Sequence, residues 1–188
     1  LVPPSEPLFN AFRYKYDVRV RELKTTIGIG PPSLTHPPQQ DITGLRKSKE
    51  FKVFNNAIWD TGASHTVITP QVVATLKKEY GIQPTGITQV NAVGDKPEIK
   101  HEAETYLVDV LLPDNVLLPN LNVLCDSISR ADVLVGMDII QRGDFCISNA
   151  KGKTTFTFCI PPFKKTTDLY IKVMEENAKI RKRNKRKR

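Results

Sequence analysis

Asp60-Thr61-Gly62 is the string in this 188-residue chain whose residue types, order and surroundings could do acid–base chemistry. A carboxylate closes the apolar run Ala57-Ile58-Trp59, and the glycine two positions on lets the backbone turn sharply and another chain come close. The small Ala63 and Ser64 keep that approach open. On composition alone, such a tripeptide arises by chance in roughly a few per cent of chains this long, so its context carries the weight. That context is a second apolar run ending in glycine, Leu134-Val135-Gly136, about 75 residues further along.

The other reactive residue types form no comparable group. His36, His65 and His101 are scattered, and Cys125, Cys146 and Cys159 lack C-x-x-C spacing, so no metal site is expected. Three sparse cysteines argue against a disulfide framework and for a reducing compartment. With no N-x-S/T sequon present, the expectation is an intracellular, cytoplasmic location. Asp138 reads as a structural group capping the turn after Gly136 rather than as a second acid. His65 reads as an exposed or interface histidine, and Trp59 as a core residue under the loop. Asp60 itself has a plainer reading, as the capping residue of an Asx turn.

The elements that would hold these residues can be read from pattern. The chain is 39% hydrophobic and 26% charged, enough for one core of ordinary size. No run approaches the ~20 apolar residues of a membrane-spanning helix, and Leu1-Val2-Pro3-Pro4 lacks the basic start and apolar core of a signal peptide. Residues 1–49 are a Pro-rich extension with one or two strands laid against the main domain, the clearest over 14–23. From there, strands are expected up to Trp59, at 66–68, 106–112, 121–125, 133–135, 145–147 and 155–160. Thr69-Pro70 predicts a helix start and Gly81 its end. Residues 86–100 read as a hairpin with its tip near Val93-Gly94-Asp95. Many short strands with one secure helix predict a mainly β domain over 50–162.

The D-T-G-A loop, the hairpin and the segment Val133-Leu-Val-Gly-Met-Asp-Ile-Ile140 occur in the order found in the retropepsins, and the chain resembles that family of single-lobed, dimeric aspartic proteases over roughly 50–162. It is more similar to the cellular and bacterial branch than to the retroviral one. Ser64 and Met137 stand where retroviral enzymes commonly carry an Asp and an Arg that pair near the dimer interface; with both absent, neither charge is left unpaired. The resemblance implies a half-barrel with a psi-loop, a flap hairpin, one or two helices and an active site formed by a homodimer. It makes Asp60 catalytic and Thr61, Gly62 and Ala63 the supports of its loop. Leu134, Val135 and Gly136 would form the psi-loop strand, and Val93, Gly94 and Asp95 the flap. No metal or organic cofactor is implied.

That chemistry needs two carboxylates sharing one proton, one to take a proton from the attacking water and the other to hydrogen-bond the scissile carbonyl. This chain has one D-T-G, so the expected activity is endopeptidase cleavage of a peptide or protein by a homodimer in which each copy gives Asp60. The alternative is a catalytically silent dimerisation or peptide-binding module of the same fold.

Charge sets the tail apart. The chain carries a net +8, and residues 164–188 hold 11 basic against 3 acidic groups, leaving the rest balanced at 17 of each sign. Residues 163–188 are thus a basic tail, partly helical or disordered, whose seven cations in 181–188 repel one another. It is either a solvated end, an anchor to nucleic acid or another acidic surface through 179–188, or a localisation signal.

Overall fold

The computed structural model describes residues 8–33, 51–90, 101–165 and 168–185. Where capping chemistry is local, the backbone follows it closely. Thr69 accepts the Val72 N–H at 3.3 Å, Pro70 occupies the first turn, and helix α1 (Pro70–Tyr80) ends at Gly81, whose left-handed φ of 67° suits glycine. Val72, Val73 and Leu76 form the buried face of α1.

Strands dominate among the described residues: β1 (Asn10–Lys15), β2 (Leu23–Gly30), β3 (Lys52–Trp59), β4 (Val67–Ile68), β5 (Pro84–Val90), β6 (His101–Leu112), β7 (Val116–Cys125), β8 (Val133–Val135), β9 (Asp144–Ser148) and β10 (Thr155–Ile160). Two further helices are the four-residue α2 (Met137–Ile140) and α3 (Leu169–Lys185). The chain is mainly β, and no described helix is long and apolar enough to cross a membrane.

Six strands close into a ring in the order β2-β3-β8-β4-β7-β6. Closure comes from Gly28, Ile29 and Gly30 of β2, which lie opposite Leu111, Val110 and Asp109 of β6. Where β2 leaves that edge of β6, β5 takes it over and forms the hairpin arm, with Val90 opposite His101. The side chains pointing into the ring are Ile27, Ile29, Val108, Val110, Val123, Val133 and Val135 and their neighbours, all buried.

A second, three-stranded antiparallel sheet has the order β1-β10-β9. Alternation turns Phe12 of β1 and Phe156 and Phe158 of β10 inward, where they meet Trp59 and Phe145 with ring centroids 4.8–6.1 Å apart. Trp59 is a core residue, and its indole N–H donates to the buried Thr25 Oγ1 at 2.9 Å. Both sheets therefore brace the residue directly before Asp60.

The single strand expected over 14–23 is not formed. β1 stops at Lys15, the chain turns, and β2 starts at Leu23. The Tyr16 hydroxyl donates to the Lys24 carbonyl at 2.7 Å and accepts the Lys24 N–H at 2.9 Å, so one phenol closes the turn in place of ladder bonds. Alternation of apolar residues through Val18 and Val20 has the same period in a strand and in an open turn, and cannot tell them apart. Phe12, Leu23, Ile27 and Ile29 are buried, so β1 and β2 are joined to the common core. Buried Asp109 fastens the end of β2: its carboxylate accepts the Ser33 N–H at 3.1 Å, the Asn120 N–H at 2.9 Å and the Ser33 hydroxyl.

One other expectation is revised: the strand at 121–125 is the second half of the longer β7. The basic tail, expected to be partly helical or disordered, is helical from Leu169 to Lys185. The proposed hairpin tip, Val93, Gly94 and Asp95, lies outside the described residues.

Candidate active site

Strand β8 runs between β3 and β4, parallel to the first (Trp59 opposite Val135) and antiparallel to the second (Val67 opposite Leu134). The chain leaving β3 must therefore pass over the end of β8 to reach β4, which draws a psi. Asp60 is the first residue of that crossing. Its N–H donates to the Val135 carbonyl at 3.0 Å, carrying the β3–β8 ladder one residue past the strand.

The half-buried Asp60 side chain is oriented by its own loop. Oδ1 accepts the Gly62 N–H at 2.8 Å, and the Asp60 carbonyl accepts the Ala63 N–H at 3.3 Å. The plainer sequence reading, an Asx turn, is thus physically present, and the same bond fixes the direction of the carboxylate. Gly62 is not among the glycines with positive φ; what it supplies is space, because a Cβ there would stand 3.1 Å from that Oδ1. Thr61 and Gly62 are exposed, and Ala63 is half-buried.

The far side of the crossing is locked by a buried network. Gly136 follows β8, and its N–H donates to Thr66 Oγ1 at 3.1 Å. That hydroxyl in turn donates to Asp138 Oδ1 at 2.7 Å, while the Thr66 N–H donates to Asp138 Oδ2 at 2.9 Å. Asp138 Oδ1 also accepts the N–H of Ile139 at 2.9 Å. The amides of Met137 and Asp138 donate to the carbonyls of Ala63 and Ser64 at 2.8 and 3.2 Å. Both Asp138 oxygens are committed, so this acid is structural. The sequence reading placed it so, but missed Thr66, which is fully buried and joins both halves of the motif. Its partners stand some 70 residues away in sequence, and nothing beside Thr66 marks it.

The residues singled out from sequence thus fall into two groups. Asp60, Thr61, Gly62 and Ala63 lie on one crossing loop, and Leu134, Val135 and Gly136 on the strand beneath it, joined through the Asp60–Val135 bond. Also unanticipated is the pair His101 Nε2–Asp126 Oδ2 at 2.7 Å, which ties the start of β6, where it faces Val90 at the outer end of the described arm, to the residue after β7. Among the described residues, no group of three or more His, Cys, Asp or Glu is placed to hold a metal ion.

All three cysteines are free, with Cys146 exposed and Cys159 buried. Burial pushes the half-buried Cys125 thiol up from its ordinary value, and the nearby Glu104 and Asp126 carboxylates push it the same way. Since only the thiolate alkylates, iodoacetamide at neutral pH should modify Cys146 first and Cys125 much later. Peptide mapping of a labelling time course checks this order, and modification of Cys125 ahead of Cys146 would contradict it.

No protein-family model and no curated protein matches the chain. Among solved structures, it is similar to a retropepsin-like aspartic protease from Rickettsia conorii, at 15% identity over 83% of this chain and 98% of that one, with a TM-score of 0.45. It is also similar to the retroviral protease-like domain of Ddi1 from Leishmania major, at 15% identity over 73% of this chain and 95% of that one, with a TM-score of 0.39.

Proposed function

We propose that the chain is a retropepsin-like aspartic endopeptidase whose catalytic centre is assembled from two copies, each giving one Asp60. The observation that carries this reading is a lone carboxylate, oriented by the Gly62 amide at the start of the psi crossing, while the neighbouring acid of the motif, Asp138, is consumed in holding the crossing together. One carboxylate of the pair takes a proton from the attacking water. The other, protonated, hydrogen-bonds the scissile carbonyl, and the roles reverse as the amine leaves. Two such groups a few ångströms apart share one proton because both cannot ionise cheaply.

Thr61, Gly62 and Ala63 keep the loop small and open above the acid, and Leu134, Val135 and Gly136 form its floor. The β5–β6 arm would close over an extended peptide and exclude water, Val93, Gly94 and Asp95 being the residues the family resemblance assigns to that flap. The reaction as drawn uses water and the two carboxylates alone.

The test is cleavage of a peptide library by the full chain at mildly acidic pH. The rate per chain should rise with protein concentration until dimerisation is complete, and Asp60→Asn should lower it by about 10²–10⁴-fold or more, the range for losing a positioned acid–base group. Undiminished cleavage by Asp60→Asn would falsify the assignment. Dimers that form normally yet cleave nothing would identify a silent module of the same shape.

A further inference from the structure

Helix α3 is unpartnered along its length: every described side chain from Asp168 to Asn184 is exposed. Its charge is strongly one-sided in sequence. Glu176 is the last acid of the chain, and Asn177–Arg188 carries eight Lys or Arg and no Asp or Glu. Glu176 is itself matched within the helix, by Lys179 Nζ at 3.4 Å and Arg183 at 3.1 Å. Such exposed pairs are weak and readily exchanged for a stronger anion.

Helical periodicity arranges these residues further. Val173, Asn177, Ile180 and Asn184 share one stripe of α3. Lys179 and Arg183 flank the stripe on one side and Arg181 on the other, with Lys182 behind. Cations on both flanks of an uncharged stripe suit a helix lying between two walls of phosphate. A helix is roughly 10–12 Å across and the major groove of B-form DNA about 12 Å wide, and Asn amides are among the groups that bond base edges there.

A membrane surface requires the opposite layout, with an apolar face backing the cations. Here the exposed Leu169, Tyr170, Ile171, Val173 and Met174 lie in the first half of the helix, with Lys172, Glu175 and Glu176 on the side away from them, and the basic run from Lys179 onward comes after this apolar stretch rather than behind it. We propose that α3 is a binding element for double-stranded nucleic acid, held chiefly through phosphates. This rests on α3 alone and is independent of the role given to Asp60.

The experiment is fluorescence anisotropy of the full chain with a labelled random-sequence DNA duplex across a salt series. With about five phosphates engaged, affinity should fall roughly 10²–10³-fold between about 50 and 200 mM salt. The combined variant Lys179→Gln, Arg181→Gln, Lys182→Gln, Arg183→Gln should bind at least about 100-fold more weakly at the low end and show a shallower salt slope. Its urea midpoint should be unchanged, because no altered side chain is buried. Asp60→Asn should bind as the native chain does. An RNA duplex bound more weakly than DNA supports seating in the wider groove. Absence of duplex binding at low salt, or tighter association with phosphatidylserine vesicles than with duplex, overturns the proposal.

Discussion

Gly136→Ala is expected to destabilise the chain by roughly 2–4 kcal/mol and to disable the site together with it. A Cβ at Gly136 would stand 2.4 Å from both the carbonyl carbon and the oxygen of His65 and 2.9 Å from the Thr66 nitrogen. These are backbone atoms, so no rotamer change relieves the overlap. The crossing chain and β8 would have to separate by about 1 Å to restore ordinary contact. Separation stretches the Gly136–Thr66 bond and the Thr66–Asp138 pair at once, and Thr66, common to both, is too buried for water to replace its partners. It also lifts the segment that carries Asp60. A misplacement of about 1 Å in a reacting group is worth roughly 10²-fold in rate, so cleavage should fall further than the loss of folded chain explains. Gly86→Ala is the control: its Cβ would meet only the Thr105 hydroxyl, at 3.3 Å, and Thr105 can move. Urea unfolding of both variants, with cleavage assayed well below the transition, separates the two effects. If Gly136→Ala matches the native midpoint and rate, the close crossing is not what holds the site.

Features written in neighbouring residues were legible in the sequence, and features made by distant pairing were not. The limits of α1 follow from Thr69, Pro70 and Gly81, each acting within one turn of itself. Trp59 and the run Val133–Val135 were apparent because continuous apolar residues stopping at a polar or glycine position mark a buried strand end. The turn at Tyr16 was hidden because a phenol supplies both bonds of a local ladder while leaving the alternation intact. Ring closure by Gly28–Gly30 against Asp109–Leu111 and the Thr66–Asp138 network, 72 residues apart, exist only once the sheet has formed. For the basic tail, the sequence left helix and disorder both open; the contacts of Glu176 with Lys179 and Arg183 and the good helix propensity of Lys and Arg are what favour the helix there. At the candidate site, then, sequence named the acid, its glycines and the structural role of Asp138, and the structure added the Thr66 hydroxyl that joins Asp138 to the crossing.

Mixing native chain with Asp60→Asn should suppress cleavage more than dilution does. Asparagine keeps an Oδ1 that accepts the Gly62 N–H, so the loop and the pairing surface stay as they are while the ionisable group is lost. At equal amounts with free exchange, random pairing leaves about one quarter of the dimers with two intact acids, about half mixed and the rest fully substituted. If one carboxylate cannot both activate water and protonate the carbonyl, mixed pairs are silent. Activity then falls to about a quarter of that of an equal total of native chain, whereas independent monomers would keep about half. The separation widens on titration. At a fixed amount of native chain, excess Asp60→Asn draws each intact copy into a silent pair and drives the rate toward zero, while a self-sufficient monomer would be unaffected. Substrate held far above total protein removes competition for peptide as a cause. A rate that tracks native chain alone, however much variant is added, would mean that the second carboxylate comes from the same molecule.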